Sequence, residues 1–228
     1  MGSLAETLRA ELEVETVFTI PIFGGIGVAE SVVVTWIIMA VLMIASVLLT
    51  RGLKVHEPGR RQVMVETAVC GLQNMIRGFI GEEGEEYVAY LCTVILYIGI
   101  ADIIGMFGFK APTKDLNTTA ALAIMSIILI EVAGIRHKGP RRWLKSFAEP
   151  MFIVAPINVL EIVIRPLSLC MRLFGNVLGA FVIMKLIEFI VPVFIPMVFS
   201  MYFDIFDGLI QAYVFVFLTS LFIKEAIE

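Results

Sequence analysis

The chain has 228 residues, of which 59% are hydrophobic and 17% charged, and its mean hydropathy is +0.95. Water-soluble domains are about 45–50% apolar and about 25% charged, so this composition excludes a soluble enzyme domain. The net charge of −4, with most Lys and Arg in short clusters between apolar stretches, offers no nucleic-acid surface.

The amino-terminal segment 1–29 is acidic and lacks the basic-then-apolar layout of a cleaved signal, so the first apolar span is expected to remain in place. Crossing about 30 Å of hydrocarbon takes about 20 apolar residues in a helix. Runs of that length are Glu30–Thr50, Glu86–Phe109 and Asn117–Ile135. From Phe147 to Ile223 the chain is apolar almost throughout, broken mainly by Pro192 and Pro196. It reads as two more helices, Phe147–Ile190 and Val193–Ile223, joined at a proline-marked turn. The expected fold is an all-α polytopic membrane protein of about five spans, its last two forming a long tilted hairpin. A continuous helix from Phe147 would be ~65 Å long, so it must tilt or bend, and Pro150, Pro156 and Pro166 offer places to do so.

The segments are therefore an outer amino-terminal piece (1–29), a first span (30–50), an inner loop (51–85), two spans (86–135), a basic inner loop (136–146) and the hairpin (147–228). The loop after the first span holds Arg51, Lys54, Arg60, Arg61 and Arg77; the loop after the third holds Arg136, Lys138, Arg141, Arg142 and Lys145. The other side has only Arg9, Lys110 and Lys114. Positive loops stay inside, which puts the amino terminus outside and the carboxyl terminus, with Lys224, in the cytoplasm. Gly59–Ile80 mixes Val63, Val65, Val69, Leu72, Ile76 and Phe79 with Arg60, Arg61, Glu66 and Arg77, the pattern of an amphipathic helix on the inner face or of a plain linker helix. Cys70, Cys92 and Cys170 are far apart, and His56 and His137 are the only histidines. Neither a disulfide framework, a structural metal nor a cofactor is expected.

A charge at the centre of a membrane helix costs about 2.5–3.5 kcal/mol on insertion scales. Lys185 and Glu188 are three residues apart near the outer end of the fourth helix, where pairing or snorkelling accounts for both. Arg172 is too far from either end to snorkel and cannot neutralise by losing its proton. It needs an anion, either an acid on a neighbouring helix or one that passes by. Gly175 and Gly179 follow it in a G-x-x-x-G step that admits a close helix. Arg165, Glu161 and Asn176 lie at helical spacings that bring them near its face.

The run PINVLEIVIRPLSLCMRLFGNVLGA, Pro156 to Ala180, resembles the signature of subunit a of F-type ATP synthases, with its R-P-L-S-L…R-L-F-G-N pattern. PTKDLNTTAALAI (Pro112–Ile124) and LIQAYVFVFLTSLFI (Leu209–Ile223) are similar to weaker family segments. The resemblance implies the ion-translocating stator of a rotary machine in a bacterial inner membrane, not catalytic by itself. It implies as partners a ring of c subunits, the b subunits of a peripheral stalk and other synthase subunits, within a lipid bilayer. The chain has no G-x-x-x-x-G-K-[ST] nucleotide loop. By resemblance, Arg172 is the essential arginine facing the ring carboxylate, and Asn176 and Gln211 are polar positions near it.

The family pattern has an acid or histidine nine residues past the arginine, where this chain has Phe181; Asp204 stands where histidine or glutamate is common, and Asp102 where asparagine is usual. With the assigned orientation, Asp102, Asp204, Asp207 and Glu188 fall in the outer leaflet as candidates for an outer half-channel. Asn158, Glu161 and Arg165 fall in the inner half as candidates for an exit, and Glu131 either joins them or sits at the membrane surface. Partly buried carboxylates are suited to relaying protons near neutral pH. The alternatives are a stand-alone transporter, with Arg172 as counter-charge to a substrate, and a structural scaffold.

Overall fold

An apolar run with no water around it must satisfy every backbone N–H and C=O internally, which within a single segment only a helix achieves. The computed structural model describes residues 16–20, 26–54, 59–107, 109–146, 155–190 and 199–228. Within them a short β-hairpin, β1 (Thr16–Ile20) paired antiparallel with β2 (Ile26–Ala29), precedes α1 (Glu30–Thr50), α2 (Arg60–Ile80), α3 (Glu85–Ile103), α4 (Leu116–Lys138), the short α5 (Pro140–Ser146), α6 (Ala155–Ile190) and α7 (Gly208–Ile227). A π-helical turn, Met201–Asp207, leads into α7, and 3-10 turns flank α3 at Glu82–Gly84 and Ile104–Phe107. Five helical stretches among the described residues are long and apolar enough to cross a membrane: Glu30–Thr50, Glu82–Met106, Leu116–Lys138, Ala155–Ile190 and Met201–Ile227. The chain is an all-α polytopic membrane protein.

The expected boundaries shift where local chemistry changes. The second span is α-helical only to Ile103 and tightens into the Ile104–Phe107 turn, where Gly105 and the following glycine weaken helix propensity. The hairpin β1–β2 was not expected at all. Its sequence TVFTI is β-branched and aromatic, and Gly27, paired with Thr19, stands where a Cβ would lie 2.9 Å from the Thr16 Cγ2. The stretch Phe147–Val154 with Pro150, the proposed turn at Pro192 and Pro196, and Arg9 lie outside the described residues.

Lipid exposure is written on the helices. On α1, only Ser31, Val34 and Ile38 are buried, one narrow stripe near its start. Trp36, Ile37, Val41, Met43, Ile44, Val47 and Leu48 are exposed, an arrangement stable only where the surroundings are apolar. On α6, 36 residues and ~54 Å long, Leu169, Cys170 and Leu173 alone are buried. Pro166 sits inside this helix and removes the N–H that would bond the Ile162 carbonyl.

The described residues form two compact units, each with its own core. The first gathers residues of Met1–Ile38, Ile98–Ala123 and Leu167–Ala212. Its core includes Val34, Ile38, Ile98, Ala101, Leu122, Leu173 and Ala212. Asp115 caps α4 by accepting the Asn117 N–H at 2.9 Å, and its second oxygen accepts the buried Ser31 hydroxyl at 2.5 Å. The start of α1 is thereby pinned to the start of α4, with a Lys110–Glu30 ion pair at 3.3 Å beside it. Ser31→Ala is expected to lower stability by about 1–3 kcal/mol, the cost of leaving a buried acceptor one donor short. Thermal unfolding should show it, whereas Thr50→Ala, which removes only an exposed bond back to Ser46, should leave the midpoint unchanged.

The second unit gathers residues of Met39–Tyr97, Ile124–Pro166 and Tyr213–Glu228. Ile76, Ile80, Leu91, Ile130, Phe215, Val216 and Ile223 are its largest fully buried side chains. Phe79 of α2 packs edge-on against Tyr213 and Phe217 of α7, at 5.7 and 5.1 Å between centroids. The α2 helix is thus anchored by its last turn, while Val63, Met64 and Val69 stay exposed. Gly139 closes α4: its φ of +78° is a left-handed conformation that side chains disfavour, and its N–H bonds the Ile135 carbonyl at 2.9 Å. Pro140 then starts α5, which needs no N–H at that position.

Candidate functional site

Each unit contains a cavity lined by charged side chains. In the first unit it measures about 350 Å³, and Asp102, Lys110, Lys114, Asn176, Phe181, Lys185, Glu188, Ser200 and Asp207 are among its walls. Asp102 is buried on α3 and accepts the Thr113 hydroxyl at 2.6 Å. Gly208 makes this possible, because a Cβ on it would lie 2.8 Å from the Asp102 Cβ. The π turn immediately before Gly208 presents Asp207 to the same cavity. Lys185 pairs with Glu188 at 3.2 Å, and Lys114 sits 4.3 Å above the Phe181 ring, a cation–π contact. Of the residues assigned to an outer path, the cavity brings together Asp102, Asp207 and Glu188, and it adds Asn176, assigned to the neighbourhood of Arg172. The Asp204 side chain lies outside the description; its backbone belongs to the π turn. On a regular helix Asp204 would share a face with Gln211, seven residues later, but the count of 3.6 residues per turn does not hold through that turn. Gln211 is buried in the first unit but is not among the cavity residues, and its Nε2 has no hydrogen-bond partner among the described residues.

In the second unit a cavity of about 240 Å³ has Glu131, Lys138, Trp143, Ser146, Asn158, Glu161, Ile162, Arg165 and Glu225 on its walls, and a separate one of about 280 Å³ lies by Arg51, Lys54 and Arg61. Arg165 is held between two carboxylates, Glu161 one turn away on α6 and Glu225 near the end of α7, both at 2.7 Å. Its guanidinium also lies over the Phe222 ring, 4.9 Å from the centroid. Trp143 donates its indole N–H to Glu131 at 3.1 Å, so Glu131 belongs with Asn158, Glu161 and Arg165 in this cavity. Glu225 and Trp143 were absent from the sequence-based set. Glu225 is 60 residues from its arginine, and no spacing rule connects the two.

Arg172 differs from both groups. It is exposed, and among the described residues it has neither an ion-pair nor a hydrogen-bond partner. Seven residues separate it from Arg165, which two acids neutralise. The exposed positions around it repeat at helical spacing: Leu160, Ile164, Leu167, Ser168, Met171 and Gly175. At Gly175 and Gly179 an added Cβ would meet nothing within 4 Å, so among the described residues none fills the glycine groove. A single fixed positive charge thus stands on an open, otherwise uncharged helix face.

Residues 32–224 match the family described as ATP synthase A chain. The chain belongs to the ATP synthase A chain family. It is 35% identical to ATP synthase subunit a 2 of Bradyrhizobium sp., over 90% of this chain and 91% of that protein. It is likewise 37% identical to ATP synthase subunit a 1 of Pelobacter propionicus, over 88% of each, and 35% identical to ATP synthase subunit a of Moorella thermoacetica, over 90% of this chain and 94% of that one. The matched residues take in every charged residue named in the first cavity and all of those in the second except Glu225. Among the described residues there is no group of three His, Cys, Asp or Glu that could hold a metal ion.

Proposed function

We propose that this chain, a non-catalytic membrane component of ATP synthase, is the ion-translocating stator that couples proton flow to rotation of a c-subunit ring. The single observation that carries the reading is Arg172, exposed and without an acid of its own among the described residues. An unneutralised guanidinium is expensive against lipid, so a face carrying one requires an anion from outside the chain. A ring of helices, each bearing one carboxylate, supplies such an anion repeatedly. The ionised carboxylate is held by Arg172, and once protonated it loses that attraction and can enter lipid. Because guanidinium does not give up its proton, Arg172 cannot pass protons straight across.

Along α6, Asn158, Glu161 and Arg165 precede Arg172 and line one cavity, while Asn176, Lys185 and Glu188 follow it and line the other. The first-unit cavity is the outer half-channel, loading the ring carboxylate through Asp102, Asp204 and Asp207. The second-unit cavity is the exit, with Glu131, Glu161 and Glu225 receiving the proton. Gln211, buried with an unused donor, supplies a neutral polar contact beside the path. The Lys and Arg clusters support an orientation in a bacterial inner membrane with the amino terminus outside and the carboxyl terminus in the cytoplasm. The b subunits of the peripheral stalk hold the stator still.

The assignment of the outer half-channel is tested by passive proton flux through membrane vesicles carrying the complex stripped of its nucleotide-hydrolysing part. Asp102→Asn/Asp207→Asn should lower flux at least ten-fold, on the scale of a lost proton relay, while Glu30→Gln leaves it unchanged. Full flux in the double variant would remove the first cavity from the path. In the same assay, Asp204→Asn retaining full flux would remove Asp204 from the relay.

A further inference from the structure

The basic residues between the third and fourth spans do more than set orientation. α4 has 23 residues, ~35 Å, and so uses up the hydrocarbon thickness before it ends at Lys138. Gly139 turns the chain and α5 begins at once, seven residues between two membrane spans. The segment therefore lies at headgroup depth. Its rotation about its own axis is set by Trp143, whose indole bonds Glu131 at 3.1 Å, and Trp143 and Ser146 both line the second-unit cavity. On a helix, Arg141, Leu144 and Lys145 then fall on the opposite side, with Arg142 on the flank. All four are exposed, Leu144 to 65%. None of the three cations has an ion-pair partner among the described residues. Arg136 adds a fourth charge three residues before Gly139, with a 3.8 Å contact to Glu86.

We propose that this face of α5 binds the phosphate of an anionic phospholipid, with Leu144 seated among the acyl chains beneath it. Three cations, unpaired among the described residues, around one exposed leucine match a headgroup above and hydrocarbon below. A soluble anion would use the charges and leave the leucine wet, whereas an acidic protein segment would have to displace lipid from a site already at headgroup level. Because α5 also carries the Trp143–Glu131 bond, the bound lipid holds the wall of the second cavity in place.

The chain has two tryptophans, so Trp36→Phe leaves Trp143 as a local reporter. The full chain is reconstituted into phosphatidylcholine vesicles containing equal mole fractions of either brominated phosphatidylglycerol or brominated phosphatidylcholine, and quenching of Trp143 is compared. The anionic lipid should bind about five-fold more tightly at the site, on the scale of one cation at a membrane surface. That preference should fade at high salt and vanish in Arg141→Gln/Arg142→Gln/Lys145→Gln. Arg141→Lys/Arg142→Lys, which keeps the charges, should retain it and shows that the fold survives substitution there. Equal quenching by the two lipids, or a preference that outlasts the triple substitution or high salt, would overturn the proposal. In the complete complex, a photoactivatable phosphatidylglycerol should label residues 140–146; no label there would mean that a protein subunit covers the patch, and would overturn it as well.

Discussion

Arg172→Ala is expected to abolish ATP-driven proton pumping in vesicles containing the assembled complex, with assembly itself preserved. Among the described residues nothing depends on this guanidinium: it is exposed and makes no hydrogen bond or ion pair there. Its removal deletes a charge from an apolar face and should if anything ease insertion, by about 2.5–3.5 kcal/mol on insertion scales. A purely structural role would therefore predict a complex that still pumps. A stator whose arginine attracts a passing carboxylate predicts loss of coupling, because the ionised acid then has no counter-charge at the point where it must stay charged. Arg172→Lys tests the geometry separately. It keeps the charge but loses the planar fork and can release its proton, so pumping should fall sharply there too. Unchanged pumping in Arg172→Ala would sink the reading.

The second large effect is expected from Gly175→Leu. An added Cβ at 175 meets nothing within 4 Å, and leucine is a better helix former than glycine by several tenths of a kcal/mol. The isolated chain should thus fold with undiminished helicity and thermal stability. The groove that Gly175 and Gly179 leave open is nonetheless where a second helix can come close, and an isobutyl group fills it. Pumping by the assembled complex should drop by at least ten-fold. Full pumping in Gly175→Leu would mean that no helix runs in this groove, while a destabilised chain would mean that the groove is filled from within.

Most of the fold was legible because membrane spans are a matter of length and hydropathy. Glu30–Thr50 coincides with its helix since nothing within the run interrupts it. The grouping of Asp102, Asp207 and Glu188 was legible for a related reason: helices that cross a bilayer alternate in direction, so depth follows from residue number. What escaped is what depends on side chains meeting across the fold or on backbone that departs from the regular helix. Arg165 and Arg172 look equivalent at a seven-residue spacing, yet one is held by Glu161 and Glu225 and the other by nothing in the described chain. Glu225 near the carboxyl end reads as a surface acid until α7 is seen to bring it to α6. The β-hairpin was missed because a short polar-flanked segment before an apolar span carries too few residues for a period to show.

The π turn at Met201–Asp207 has a consequence for how this helix tolerates change. A π turn behaves as an α-helix carrying one surplus residue, and it lies in the same helical stretch that presents Asp207. Single substitutions there leave the surplus in place. Deleting one residue from 201–207 would instead restore ordinary i→i−4 bonding and swing everything on its amino-terminal side by about 100° around the axis. In a lineage of such chains, this segment should accept exchanges of side chain far more readily than a change in length.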